Sequence, residues 1–512
     1  MKLIGVVGSG STSTYSPVII YEREEGEAKE ECLVVIDDSF RGLRFLGILR
    51  FIKRYEPFLN PWQRTSYVDK PSLVDSGTYP HSAAYVYIIG VLRSDGGIGP
   101  NELPPNPGSK VFVVTSPEDV RVDLGKGLVV GAHKHSGVEI PVNPGSLRLH
   151  IAVVGATGMG KSRLVKALID EVLSKTEWSV LVFDHSGMDY VQFYRDYVVP
   201  GSSIALDPAT ISESIVRSSN LDKHHVDYVA AAVTIYMSCL SGEGVGNACA
   251  GVRSACYGAG EGVRAPTLRG QGLAQSIVKV FESANIGDLT ATAARSRLGW
   301  DRECFKRVVL AVARAFGAKP STLLKLSAAT DLWLGDPFFN RLSGRSILPR
   351  DVVKEALSRR IAVIDLSTED MFVRRYVVAT VLKNLWDLVD SSRSEVNTLV
   401  VIDEAHNYAC RYCQPSSEVI VRTAREGRKW GLGLLLATQR AIDIDTEVRN
   451  NINTVFFSKL QTPSDFEQIG SFISLAGVKE ETLAVLNRRE FFLAGLGNPL
   501  KIPILIKVRE VG

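Results

Sequence analysis

The chain has 512 residues, 45 % of them hydrophobic and 22 % charged, with a formal net charge of +3. That is room for more than one domain of ~100–200 residues and ample apolar material for cores. The near-neutral balance argues neither for nor against a nucleic-acid partner, so any basic surface must be local; no apolar run approaches the ~18 residues that cross a bilayer.

Lys2 and the short apolar Leu3–Val7 run straight into glycine and serine, which is no signal peptide. The protein is therefore expected in the cytoplasm, without a membrane partner. Seven cysteines in so long a chain do not read as a disulfide framework. Cys410 and Cys413 make one C-x-x-C, but a zinc site wants a second pair, so small structural cysteines are expected.

Residues 1 to about 145 look β-rich. Short apolar runs (Leu3–Val7, Leu33–Ile36, Ala84–Leu92, Val111–Val114, Leu128–Val130) alternate with turn chemistry such as Pro104-Pro105-Asn106-Pro107-Gly108. Many short strands of this kind predict a small barrel or sandwich, read as an assembly or docking module. From Arg148 the grammar changes to apolar strands alternating with helices, the pattern of a parallel sheet covered on both faces.

Ile151-Ala152-Val153-Val154 leads into Gly155-Ala156-Thr157-Gly158-Met159-Gly160-Lys161-Ser162 and then an amphipathic stretch to Lys175. This strand, G-x-x-x-x-G-K-S loop and helix form a phosphate-binding P-loop pattern. The glycines let backbone N–H groups turn inward, and the helix start adds free N–H groups and a positive dipole end. Lys161 is expected to reach the β- and γ-phosphates of ATP, and the Ser162 hydroxyl to ligate Mg²⁺. Arg163 and Arg148, on either side of this stretch, are further expected nucleotide contacts.

A second strand, Val180–Phe183, ends in Asp184-His185-Ser186-Gly187. Residues 191–350 then read mostly as helices (Asp222–Leu240, Gly272–Ala284, Cys304–Phe316), with a small-residue loop over Ser241–Gly270. The alternation resumes with the strand Ile361–Ile364, the helix Phe372–Val389 and the strand Leu399–Ile402. That last strand ends in Asp403-Glu404-Ala405-His406. Asp403 is expected to hold Mg²⁺ with Ser162, and Glu404 to polarise the attacking water.

The helix Ser417–Lys429 carries Arg425 and Arg428. Either is a solvated cation or an arginine finger offered to a neighbour's ATP, with Arg428 preferred. The strand Leu432–Leu436 ends in Ala437-Thr438-Gln439-Arg440, where Gln439 is placed to sense the γ-phosphate or orient water. Further strands are expected at Thr454–Ser458, Phe491–Ala494 and Ile502–Val508. No guanine-reading Asn-Lys-x-Asp segment follows a strand, which sets aside a signalling GTPase. The helical insertion sets aside a small-molecule kinase.

Together these motifs resemble the HerA family of hexameric DNA translocases, in the HerA/FtsK branch of RecA-like ATPases. The resemblance lies in Gly155–Ser162, Asp403-Glu404-Ala405-His406-Asn407, Ala424-Arg425-Glu426-Gly427-Arg428-Lys429-Trp430-Gly431, and Ala437-Thr438-Gln439-Arg440 with Asp443-Ile444-Asp445. The start, Ile4-Gly5-Val6-Val7-Gly8 with Ser11-Thr12-Ser13-Thr14, looks like that family's barrel. The resemblance implies a multidomain chain. It has an N-terminal β-barrel (1–145), a RecA-like α/β core with a parallel sheet (146–190 and 351–495), an inserted helical bundle (191–350) and a short C-terminal extension (496–512).

It also implies an ATP hydrolase that drives double-stranded DNA through a homohexameric ring and works with a NurA-like nuclease in archaeal end resection. Lys161, the Asp403-Glu404 pair, Gln439 and an arginine acting across subunits, here Arg428, carry hydrolysis by that resemblance. Two departures stand out: Asp184-His185-Ser186-Gly187-Met188-Asp189-Tyr190 replaces the usual Asp-Pro-His-Gly-Glu-Tyr, and Ala441 stands where a proline usually follows. A DNA pump of conjugation or packaging type, and a nucleotide-switched scaffold that recruits a nuclease, are the rival readings.

Overall fold

Strand β2 (Tyr15–Ile20) buries Ser16, Val18 and Ile20 and turns the residues between them outward. That period of two is what a closed sheet with one apolar face requires. β1 (Lys2–Val7), β3 (Leu33–Asp38), β4 (Leu43–Tyr55), β5 (His81–Leu92), β6 (Ile98–Gly99) and β7 (Lys110–Val113) complete the N-terminal sheet. Its order is β2-β1-β7-β3-β4-β5, and a β2–β5 pairing closes the ring with β6 hung on β5. Ile4, Val18, Val34, Ile36, Phe45, Val86 and Val111 fill the interior of this barrel.

The structure is a computed structural model and describes residues 1–56, 62, 69, 81–219, 221–222, 225–241, 249–257 and 286–511. They group into two units. The first holds Met1–Ser179, Asn397–His406 and Val421–Gly512; the second holds Val180–Val396 and Asn407–Ile420.

After the barrel the first unit continues with β8 (Leu128–His133), β9 (Glu139–Val142) and β10 (Ile151–Val154). The second unit carries β11 (Ser179–Asp184), β12 (Val198–Pro200) and β13 (Ile361–Asp365), with β13 parallel to both others. The first unit resumes with β14 (Thr398–Ile402), β15 (Leu432–Thr438), β16 (Thr454–Phe457), β17 (Glu490–Gly495) and β18 (Ile504–Val508). β14, β15, β10 and β16 lie side by side and parallel. β17, β18, β8 and β9 extend the same sheet antiparallel. Every residue of β10, β14 and β15 is buried, as expected of parallel strands covered on both faces.

Three expectations change. The run Leu128–Val130, expected in the barrel region, pairs with β18 and β9 in the core sheet instead. Alternating burial marks a strand but not the sheet it joins. Within the expected loop Ser241–Gly270, Ala250–Tyr257 is a helix. Third, six of the seven cysteines are paired, as Cys239–Cys249, Cys256–Cys304 and Cys410–Cys413, and only Cys32 is free. Helix packing in the second unit brings these pairs together, with Cα separations of 5.1 and 4.7 Å for the first two. Spacing along the chain carried no sign of it. The helices Val226–Leu240 and Arg302–Ala315 lie where expected, whereas the helix expected at Gly272–Ala284 falls outside the described residues. Among the described residues no helix is long and apolar enough to cross a membrane.

Candidate active site

β10 runs out of the sheet at Val154, between the ends of β15 and β16, and the glycine loop begins there. Ala156 N–H donates to the Lys459 carbonyl at 2.7 Å, and Gly155 N–H to the Thr438 carbonyl at 3.2 Å. The loop is thus stitched to both neighbouring strand ends. Gly158 and Gly160 adopt φ of +81° and +97°, a region that side chains resist. Gly160 also faces Arg489, whose backbone N–H donates to the Met159 carbonyl at 2.8 Å.

Lys161 opens the helix Lys161–Lys175 and is 8 % exposed. Its ammonium donates to the Gly155 carbonyl at 2.9 Å and the Ala156 carbonyl at 3.4 Å, so the charge sits inside the loop's curl. Ser162 is half-buried in the first helical turn, while Met159 is buried and Thr157 and Gly158 are exposed at the loop tip. Arg163 points to the chain's end, where its guanidinium donates to the Val511 carbonyl at 3.0 Å. Arg148 is half-buried on the turn Pro144–Leu149 before β10.

β14 delivers Asp403, which is buried, and then Glu404, half-buried, with a backbone φ of +45°. A left-handed glutamate is uncommon and marks a residue whose position outweighs its strain. Its carboxylate is hydrogen-bonded on one oxygen, and the other is buried without a hydrogen bond among the described residues. Oε1 accepts from Gln439 Nε2 at 2.7 Å, and Oε2 lies 3.4 Å from His406 Nδ1. Burial lowers the His406 pKa, partly opposed by the nearby Glu404 charge. His406 Nδ1 also lies 3.2 Å from the Thr438 hydroxyl.

Gln439, at the tip of β15, closes the circuit. Its Oε1 accepts from the Thr157 hydroxyl at 2.8 Å and from Gln461 Nε2 at 3.0 Å. A continuous hydrogen-bonded path thus runs from the P-loop tip through Gln439 to Glu404. No motif pointed to Gln461; it follows β16 in an otherwise ordinary turn sequence.

Arg425 ends the helix Ser416–Glu426 and pairs with Glu447 at 3.2 Å, both side chains exposed. Arg428 lies one turn on, in the 3-10 turn Gly427–Trp430. It is exposed and, among the described residues, makes no hydrogen bond or ion pair. His150 fixes where this arginine segment sits, a role sequence reading missed. The Leu434 N–H donates to its Nδ1 at 3.0 Å, which leaves the proton on Nε2, 3.0 Å from the Ala424 carbonyl. Burial pushes its pKa down to about 4, so it stays neutral and keeps that tautomer.

Asp184 and His185 belong to the second unit. Asp184 accepts backbone N–H bonds from Ser186, Gly187, Tyr190 and Val191, which ties the segment after β11 into a tight turn. His185 Nδ1 meets the Tyr408 hydroxyl at 2.8 Å, and Arg374 lies 3.2 Å from its Nε2.

Lys161, the loop glycines and the helix start suit a triphosphate, and a hydroxyl with a buried carboxylate, Ser162 and Asp403, suits Mg²⁺. Glu404 has the chemistry of a general base.

Residues 128–241 match the family model described as the central domain of helicase HerA. A probable helicase of Methanocaldococcus jannaschii is 24 % identical, over 83 % of this chain and 78 % of its own. The DNA double-strand break repair helicase HerA of Sulfurisphaera tokodaii is 23 % identical, over 82 % of this chain and 76 % of its own. Among solved structures, VirB4 of Thermoanaerobacter pseudethanolicus is 16 % identical, with a TM-score of 0.43 over 76 % of this chain and 97 % of that one.

Proposed function

We propose that the chain is a helicase of the HerA family, an ATP-driven translocase of duplex DNA. The observation that carries this reading is the path Thr157–Gln439–Glu404, which joins a P-loop to an acidic strand end. Lys161 and the loop N–H groups hold the triphosphate, helped by Gly155, Thr157, Gly158, Met159 and Gly160, with Arg148 and Arg163 beside them. Ser162 and Asp403 would hold Mg²⁺, which would supply positive charge against the triphosphate. Glu404 takes the proton of the attacking water, and Gln439 aligns that water against the terminal phosphate.

Arg428 is free to reach a neighbouring subunit, so each active site is completed in a homohexameric ring. Arg425, paired with Glu447, is the weaker finger. The barrel (1–145) serves as the docking platform, with the core at 146–190 and 351–495, the helical insertion at 191–350 and the extension at 496–512. The partner is a NurA-like nuclease, and the process is end resection in the cytoplasm. Grip on DNA is through phosphates, and hence independent of sequence and sensitive to salt.

Lys161→Ala is expected to abolish phosphate release while leaving assembly and partner binding unchanged in mass measurements. Subunits carrying Arg428→Ala mixed with subunits carrying Glu404→Gln regain turnover at hybrid interfaces if the finger acts in trans. Duplex DNA ends should stimulate wild-type turnover. Turnover indifferent to DNA would sink the translocase reading, and no rescue in any mixture would sink the trans assignment.

A further inference from the structure

Gln439 is held at its oxygen end by two donors of different kinds. One, Thr157, belongs to the P-loop tip and is exposed. The other, Gln461, belongs to the loop after β16. That loop is anchored deeply. Asp465 has no exposed surface; it accepts the Ile442 N–H at 3.2 Å on one oxygen and the Thr462 hydroxyl at 2.7 Å on the other. One buried carboxylate therefore ties the segment after Gln439 to the segment bearing Gln461. The same loop accepts the Ala156 N–H at the Lys459 carbonyl.

A carboxamide has a donor end and an acceptor end, and Glu404, when ionised, only accepts. Glu404 thus selects the NH₂ end of Gln439, and the opposite end needs donors. A phosphate arriving at the loop competes for the Thr157 hydroxyl, itself a good donor to anions. Gln461 is then the donor that remains.

We infer that Gln461 is a positioning residue for ATP hydrolysis: it holds the Gln439 carboxamide in register with Glu404 once Thr157 has turned to the nucleotide. This rests on the ATPase reading above. It assigns a role to a residue outside the P-loop, the acidic pair and the arginine segment. Gln461 is exposed, so replacing it opens no cavity.

The test uses Gln461→Glu and Gln461→Lys in the full chain. The glutamate offers a second acceptor that competes with Glu404 for the Gln439 NH₂, whereas the lysine keeps a donor. Gln461→Glu should lower kcat about tenfold with KM for ATP changed by less than about twofold. Gln461→Lys should turn over several-fold faster than Gln461→Glu. The ratio of Gln461→Glu to wild-type kcat should rise as pH falls towards 5, because a protonated carboxyl regains an O–H donor.

A second readout needs no turnover. In nucleotide-free protein with ¹⁵N-labelled glutamine, the Gln439 NH₂ signals are assigned by their loss in Gln439→Ala. They should shift in Gln461→Glu and shift less in Gln461→Lys. Unmoved signals, a kcat for Gln461→Glu within about twofold of wild type, or equal losses in both variants would each overturn the inference. A wild-type protein without ATPase activity would instead overturn the ATPase reading, and the amide signals alone would then decide the role of Gln461.

Discussion

Glu404 occupies a backbone conformation suited to glycine, at φ +45°. Left-handed geometry costs a non-glycine residue roughly 1–2 kcal/mol, and here that strain sits on the proposed general base. Glu404→Gly should therefore melt no lower than wild type while losing hydrolysis, a trade visible in paired calorimetry and phosphate-release assays. Histidine sets a second residue-scale expectation. His133 and His150 are both buried, with pKa values pushed down to about 4 by burial. Unfolded, each takes its proton near 6.5, so as pH falls the unfolded state binds protons first. The contribution of each histidine should fall by about 3 kcal/mol between pH 6.5 and 4 and change no further below that. Thermal melts across that window should flatten in His150→Gln. The P-loop, Asp403, Glu404 and Gln439 were legible from sequence because backbone geometry and charge dictate those residue types at fixed spacing. His150 and Gln461 were not, because a hydrogen bond across loops leaves no periodic trace.

At the scale of elements, β15 contains Gly433 for a packing reason. A Cβ there would lie 2.1 Å from the Leu147 carbonyl oxygen in the turn Pro144–Leu149. That close approach brings the turn before β10 down onto β15, beside His150. Gly433→Ala should cost several kcal/mol, on the order of 3 or more, seen as a lowered midpoint in denaturant titration. The β–α alternation was readable because fully buried parallel strands are continuous apolar runs. The membership of Leu128–Val130 was not, since any sheet with one buried face imposes the same alternation. The disulfides escaped for a related reason. Cys239, Cys249, Cys256 and Cys304 meet only after their helices pack.

At the scale of the whole first unit, one buried ion pair ties the barrel to the core. Arg50, on β4, donates to both oxygens of Glu31 at 2.8 and 2.9 Å. It also donates to the Pro503 carbonyl at 2.6 Å and to the Ala476 carbonyl. Burial raises the Glu31 pKa, and the Arg50 charge opposes that rise. Arg50→Met strands Glu31 without its counter-charge and should cost about 3–5 kcal/mol. Arg50→Met with Glu31→Leu should recover much of the loss in the same melts, because a pair of apolar side chains needs no partner.

The sheet order also fixes a sequence of events on the ribosome. Ile151 pairs with Leu435 on one side and with Thr454 on the other. At elongation rates of about 5–20 residues per second, the glycine loop leaves the ribosome roughly 15 to 60 s before its flanking strands exist. Through that interval the nascent chain has a folded barrel to offer but no place for a nucleotide. On the proposed reading, docking to a partner can begin during synthesis, whereas the proposed nucleotide can be loaded only after β15 and β16 have been made.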